Sequence, residues 1–195
     1  MEEPDGATPL DPNELEGLKF PHIQTRGELD QVEQVNIQDG LIWLRKQKKP
    51  DVLSEAFIRR LHKEMLGEVW EWAGTFRYTE KNIGVAPEQI TMSLRLLLDD
   101  VRFWVEHETF SAKEIGLRFH HRLVQIHLFP NGNGRHARFM TDALLKKTMN
   151  EQPIHWGEAN LQNAGEYRSE YIAALKQADA GEYQPLLEKF SMKEP

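Results

Sequence analysis

The chain has 195 residues, 24 Lys and Arg against 31 Asp and Glu, a formal charge of -7, and no cysteine. That length suits one domain with a core large enough to stand without staples. The missing cysteines exclude disulfides, thiol nucleophiles and thiolate metal sites. The acidic balance argues against broad nucleic-acid binding, although a local basic pocket for phosphate stays open. No apolar run is long enough to span a bilayer. The acidic start lacks the basic and apolar regions of a secretory signal, so a cytoplasmic protein is expected.

Residues 1–28 are rich in Pro, Gly, Asp and Glu and read as an extended or loosely packed N-terminal arm. The remainder, 29–190, reads as one mostly helical domain. Leu29 to Gln47 carries a helical apolar period, with a break expected near Gly40. Ser54 can cap a helix whose apolar side includes Phe57, Leu61 and Met65. Residues 67–86 break the pattern and predict an irregular stretch with a small hairpin or flap. Glu88 to Glu106 predicts a strong amphipathic helix. Ser111 and Glu114 offer a capping box for the next, which presents Ile115, Phe119, Leu123 and Ile126 and stops near His127. Helix resumes around Asn133 and runs to about Met149. Another is expected over Trp156 to Ala178, with a break at Gly165, and a short last one from Glu182 to Phe190.

The chemistry concentrates between His127 and Arg138. Gly132 and Gly134 flank Asn133 and permit unusual backbone angles or close approach of a ligand. The helix opening there would aim free amides and its positive dipole end at the loop. Arg135 and Arg138, three apart, can each donate paired hydrogen bonds to phosphate. His127, with an ordinary pKa near 6.5, could take a proton from an incoming hydroxyl. Phe129 is expected to anchor the loop in the core. The same Gly-Asn-Gly spacing also serves as plain connection between helices, and both arginines could instead pair with the many carboxylates.

The stretch resembles the signature of the Fic family, His-x-Phe-x-(Asp/Glu)-Gly-Asn-Gly-Arg-x-x-Arg. His127, Phe129, Gly132, Asn133, Gly134, Arg135 and Arg138 match it, and Asn131 departs from it. Trp72 to Arg77, Ala86 to Ile90 and Ala173 to Leu187 resemble further family elements, so the likeness covers about 29–190. Within the family the chain resembles the bacterial group called mobile mystery protein B. The resemblance implies an all-α, Fic-type helical bundle with a small β-hairpin flap. It also implies transfer of AMP from ATP to a Ser, Thr or Tyr hydroxyl of a target protein, with Mg2+ and no nucleic acid or membrane partner. His127 would be the general base. Gly132, Asn133 and Gly134 would cradle the phosphates, and Arg135 and Arg138 would bind them. Ile83, Gly84 and Val85 would belong to a flap that docks the target backbone.

Two positions qualify that picture. Where the family places a metal-binding carboxylate, Asn131 offers a neutral amide oxygen, and weaker Mg2+ binding is expected. Alternatives are therefore a nucleotide-binding regulatory module with little transfer, or transfer of another phosphate-containing group. By the same resemblance Glu33 is the candidate inhibitory carboxylate, directed at Arg138. Its surroundings match the inhibitory pattern incompletely, since Leu29 and Gln34 replace the hydroxyl residue and Gly/Asn. An ordinary surface glutamate would simply face solvent. Trp70 and Trp72 read as packing residues, and His120 and His121 lack a common zinc spacing.

Overall fold

The structure is a computed structural model, and it describes residues 12–157 and 165–190. It is built from helices: α1 (Pro12–Leu15), α2 (Arg26–Lys46), α3 (Glu55–Leu66), α4 (Ile90–Glu106), α5 (Ala112–Ile126), α6 (Asn133–Ala143), α7 (Glu166–Asp179) and α8 (Gln184–Lys189). A 3-10 turn at Pro87–Gln89 leads into α4, and a π turn at Leu144–Thr148 follows α6. The main core gathers α2 through α6 around Leu29, Ile58, Leu61, Met65, Leu94, Leu97, Phe119 and Met140. A second cluster, with Leu117, Leu145, Tyr171, Leu186 and Phe190, packs α7 and α8 against α5 and the π turn.

The local reasons for the main helices are visible in their ends and faces. Thr25 caps α2, and its hydroxyl and the Glu28 carboxylate close a reciprocal capping box. Ser54 accepts from the Phe57 amide at the start of α3, and Ser111 accepts from the Glu114 amide at the start of α5. α3 buries Phe57, Ile58, Leu61, Met65 and Leu66 on one side. Each such side chain is worth about 1.5–3 kcal/mol relative to exposure.

Several expectations change. The break near Gly40 is absent, and α2 runs through it. A Cβ on Gly40 would lie 2.8 Å from the Met65 Cα, so the glycine brings the α2 and α3 backbones together. The N-terminal region is not loose over its described part. Glu14 is buried, its carbonyl accepts from Trp72 Nε1 at 2.9 Å, and its carboxylate accepts from Thr79 Oγ1 at 2.7 Å and pairs with Lys81. Residues 151–157 have no regular secondary structure, so Trp156 and Gly157 are not helical as expected; Asp142 instead takes hydrogen bonds from the Ile154 amide and Trp156 Nε1. Residues 158–164 of the helix expected there lie outside the described residues, and its described part is α7.

The β-hairpin flap is also corrected. Among the described residues there is no strand, only an isolated antiparallel bridge between Leu18 and Trp70. Residues 78–85 form an irregular loop. Three of their backbone groups are bonded elsewhere: the Thr79 and Val85 carbonyls accept from the Arg77 guanidinium, and the Val85 amide donates to the Ile126 carbonyl. Gly84, at φ 111°, also leaves the extended region. Those three groups are taken from any cross-strand ladder.

Candidate functional site

The site forms where α5 ends and α6 begins. His127 is the C-cap of α5 and turns the chain at φ 58°, ψ 68°, a left-handed conformation for a non-glycine residue. Its imidazole is buried. Desolvation first, then the charge of Arg77 and that of Lys81, draw its pKa down to about 4, against the opposing Val124 backbone. It is therefore a neutral imidazole near pH 7, able to accept a proton.

The turn from 128 to 132 is held from inside. Phe129 is fully buried and stacks on His62 with ring centroids 3.7 Å apart. Asn133 reaches back and closes two hydrogen bonds on Phe129: its Oδ1 accepts from the amide at 2.9 Å, and its Nδ2 donates to the carbonyl at 2.7 Å. The Asn133 side chain thus shapes the loop and does not project from it. His62 fixes the opposite side. Its Nδ1 accepts from the Gly74 amide at 2.9 Å, which leaves Nε2 to donate to the Asn131 carbonyl at 3.0 Å. Burial pushes its pKa well below the ordinary value, so it stays neutral in this bridge.

The two glycines play different parts. Gly132 sits at φ 77°, and a Cβ there would come 2.6 Å from Leu66 Cδ1. Gly134 has an ordinary φ, and a Cβ would meet nothing within 4 Å. The first glycine is required by the turn. The second leaves space in front of the α6 N-terminus, whose leading amides have no intrahelical acceptors.

The arginines also separate. Arg135 donates from Nη1 to the Glu33 carboxylate at 2.7 Å, and the other oxygen of Glu33 accepts from Trp70 Nε1 at 2.7 Å. Glu33 is neither solvent-facing nor paired with Arg138: it is 2 % exposed and locked on the other arginine. Arg138 lies deeper, its pKa lowered by desolvation, with Tyr171 and Asp142 among its electrostatic neighbours. Burial pushes Asp142 up to about 6, against hydrogen bonds from Trp156 and Ile154 and the charge of Arg138.

Of the expected flap residues, Gly84 lies against His127. Ile83 and Gly84 are exposed and Val85 half-buried, and a Cβ on Gly84 would lie 2.8 Å from His127 Cβ. His120 and His121 instead belong to the packing of the C-terminal helices, bonded to Tyr171 at 2.7 Å and Tyr183 at 2.9 Å. Trp70 and Trp72 stack on each other at 4.8 Å.

Asn131 is a poor fit to a protein-held divalent ion. Its Oδ1 accepts from the next amide, Gly132, at 2.6 Å, and it brings no charge. Among the described residues no three His, Asp or Glu side chains gather as a metal cluster. Nor is any helix among them long and apolar enough to cross a membrane.

Sequence reasoning missed two residues of this site, His62 and Arg77. A lone histidine among the apolar residues of α3 was the available signal for the first. An arginine in a glycine-bounded irregular stretch was the signal for the second.

Comparison with known proteins agrees with this geometry. Residues 52–145 match the family described as Fic/DOC. Protein adenylyltransferase fic-1 of Caenorhabditis elegans is 28% identical over 148 residues, covering 72% of this chain and 27% of that protein. The chain thus spans about a quarter of the length of the curated relatives it matches. Among solved structures, Fic-1 (aa134 - 508) from C. elegans superposes with a TM-score of 0.64 at 23% identity, covering 90% of this chain and 50% of that one. BepC of Bartonella tribocorum, solved with bound AMPPNP, superposes at 0.69 and 18% identity, covering 95% and 92%. Over residues 52–145 the chain thus matches the Fic/DOC family, and it is similar in sequence and fold to Fic adenylyltransferases.

Proposed function

We propose that the chain transfers AMP from ATP to a hydroxyl of a protein target. The observation that carries this reading is the neutral, buried imidazole of His127, joined by a short turn to an α6 N-terminus that carries Arg135 and Arg138. His127 takes the proton of a Ser, Thr or Tyr hydroxyl. The hydroxyl oxygen forms a bond to the α-phosphorus, the bond to the β-phosphate oxygen breaks, and pyrophosphate leaves with that electron pair. The Gly132–Gly134 amides and the two arginines hold the phosphates in line, and Asn131 borders them. The loop through Ile83, Gly84 and Val85 lies beside the base and receives the target segment. Relatives named adenylyltransferases, and a fold shared with a protein solved with an ATP analogue, support the choice of donor. Mg2+ enters with the phosphates of ATP rather than on a site of this chain.

A second reading has its own observation. Glu33 occupies Arg135, and Asn131 supplies no charge, which together favour a resting protein that binds nucleotide and transfers little. On this reading Glu33 is an inhibitory carboxylate.

Labelling separates the readings. ATP labelled at the α-phosphate should label a target or the chain itself, and His127→Ala should abolish it. Label arriving from the γ-phosphate instead would indicate transfer of a different phosphate group. Equal labelling by wild type and His127→Ala would overturn the proposal.

A further inference from the structure

Arg77 lies 50 residues from His127 in sequence, yet it is the side chain most engaged with the turn that His127 makes. It is 2 % exposed. Its Nε donates to the His127 carbonyl at 2.6 Å and its Nη2 to the Ile126 carbonyl at 3.3 Å, while its own amide donates to the Leu128 carbonyl at 3.0 Å. Three consecutive carbonyls at the end of α5 therefore converge on one residue. The same guanidinium donates from Nη1 to the Thr79 carbonyl at 2.9 Å and from Nη2 to the Val85 carbonyl. It thus ties both ends of the 78–85 loop to the turn.

A non-glycine residue in the left-handed region costs about 1–3 kcal/mol and persists only where its surroundings over-determine it. His127 is such a residue, at φ 58°. The bonds from Arg77 to the carbonyls before, at and after it supply that restraint. A rigid planar fork suits the task, because an ammonium cannot reach separated carbonyls in fixed directions.

We propose that Arg77 is the positioning residue of the site, holding His127 in its left-handed turn and the 78–85 loop beside it as one rigid unit. The proton-transfer consequence rests on His127 acting as base; the positional claim does not. The charged groups around the imidazole are Arg77 and Lys81, with Glu14 bound to Lys81, and Glu80 and Glu14 near Arg77. Arg77 disfavours a second positive charge on His127, second only to burial in doing so. Losing it should therefore raise the pKa of the imidazole.

Three variants test this: Arg77→Lys, Arg77→Gln, and Gly84→Ala. In the last, the new Cβ would fall 2.5 Å from Arg77 Nη2 and 2.8 Å from His127 Cβ, wedging the unit apart while keeping the charge. The His127 ring is followed by NMR on protein with isotopically labelled histidine, assigned by the signal lost in His127→Ala. Circular dichroism reports the fold. Arg77→Gln should move the His127 titration up by about one pH unit or more, and Gly84→Ala should change its chemical shift at neutral pH. All three should lower the kcat of AMP transfer by roughly a hundredfold, as expected for a misplaced base. KM for ATP should stay within about twofold, because Asn133 and His62 hold the anion loop independently. A folded Arg77→Gln protein whose His127 titrates as in wild type overturns the proposal. Should Arg77→Gln fail to fold, Gly84→Ala decides, and an unmoved His127 signal in it has the same force. Absence of transfer in wild type would remove the AMP-transfer reading and leave the titration to judge Arg77.

Discussion

Glu33 on α2 and Arg135 on α6, 102 residues apart in sequence, form a 2.7 Å ion pair that is closed over by Trp70. The pair joins α2, before the signature segment, to the first turn of α6. A phosphate approaching Arg135 must displace a carboxylate that is only 3 % exposed. Competition of that kind raises the cost of nucleotide binding and lowers it again once the carboxylate is removed.

Glu33→Gln should therefore have opposite effects on binding and stability. ATP affinity by calorimetry should rise roughly tenfold, as for the loss of about 1.4 kcal/mol of competing interaction. Thermal unfolding should show a loss of about 1–3 kcal/mol, because a buried donor loses its charged acceptor. Self-labelling should increase. A stability loss without tighter ATP binding would make Glu33 structural only.

Acid should destabilise the protein well before its carboxylates titrate normally. Burial lowers the pKa of His62, of His120 to about 3, and of His127 and His136 to about 4, and it lowers His121 against the pull of Asp179. The unfolded chain protonates these rings below 6.5 and the folded chain does not, so stability falls as pH drops from 6.5 towards 4. Asp142, raised to about 6, works in the opposite direction over 3.8 to 6, but it is one group against several. Each buried histidine contributes a slope of about 1.4 kcal/mol per pH unit within its window. The urea midpoint should drop clearly between pH 7 and pH 5; an unchanged midpoint would contradict the burial of these rings.

The two loop glycines should respond differently to alanine. Gly132→Ala forces a side chain at φ 77° and against Leu66, and should cost about 1–3 kcal/mol. Gly134→Ala meets no neighbour and should leave the melting temperature unchanged or slightly higher. Its methyl would stand in the space before the helix N-terminus, so ATP binding should weaken. Melting curves and calorimetry on both variants check this. Equal ATP binding by wild type and Gly134→Ala would place the nucleotide elsewhere.

What could be read from sequence follows the range of each interaction. The faces of α3, α4 and α5 were legible because apolar residues recur at helical spacing, and Ser54 and Ser111 marked two starts. The candidate site from His127 to Arg138 was legible because glycine, arginine and histidine lie within twelve residues. Arg77 and His62 were not, since their roles depend on carbonyls and amides brought near by the fold: Ile126 and His127 for one, Asn131 and Gly74 for the other. Backbone acceptors carry no sequence label. The flap misled for the same reason. Its short apolar segments allowed a hairpin, but Arg77 takes the Thr79 and Val85 carbonyls instead. Gly40 misled because a glycine inside a helical period looks like a break, whereas here it is a point of contact.

The close approach of α2 to α3 at Gly40 has a practical consequence. The family match begins at residue 52, after α2 has ended. Leu29, Ile37 and Leu44 nevertheless belong to the same core as Ile58, Leu61 and Met65. A fragment trimmed to the matched span would open one wall of that core and lay bare a strip of apolar surface. It would also lack the carboxylate on Arg135. The unit that folds is therefore wider than the unit that is recognised, and expression boundaries should enclose α2 together with the Glu14 segment.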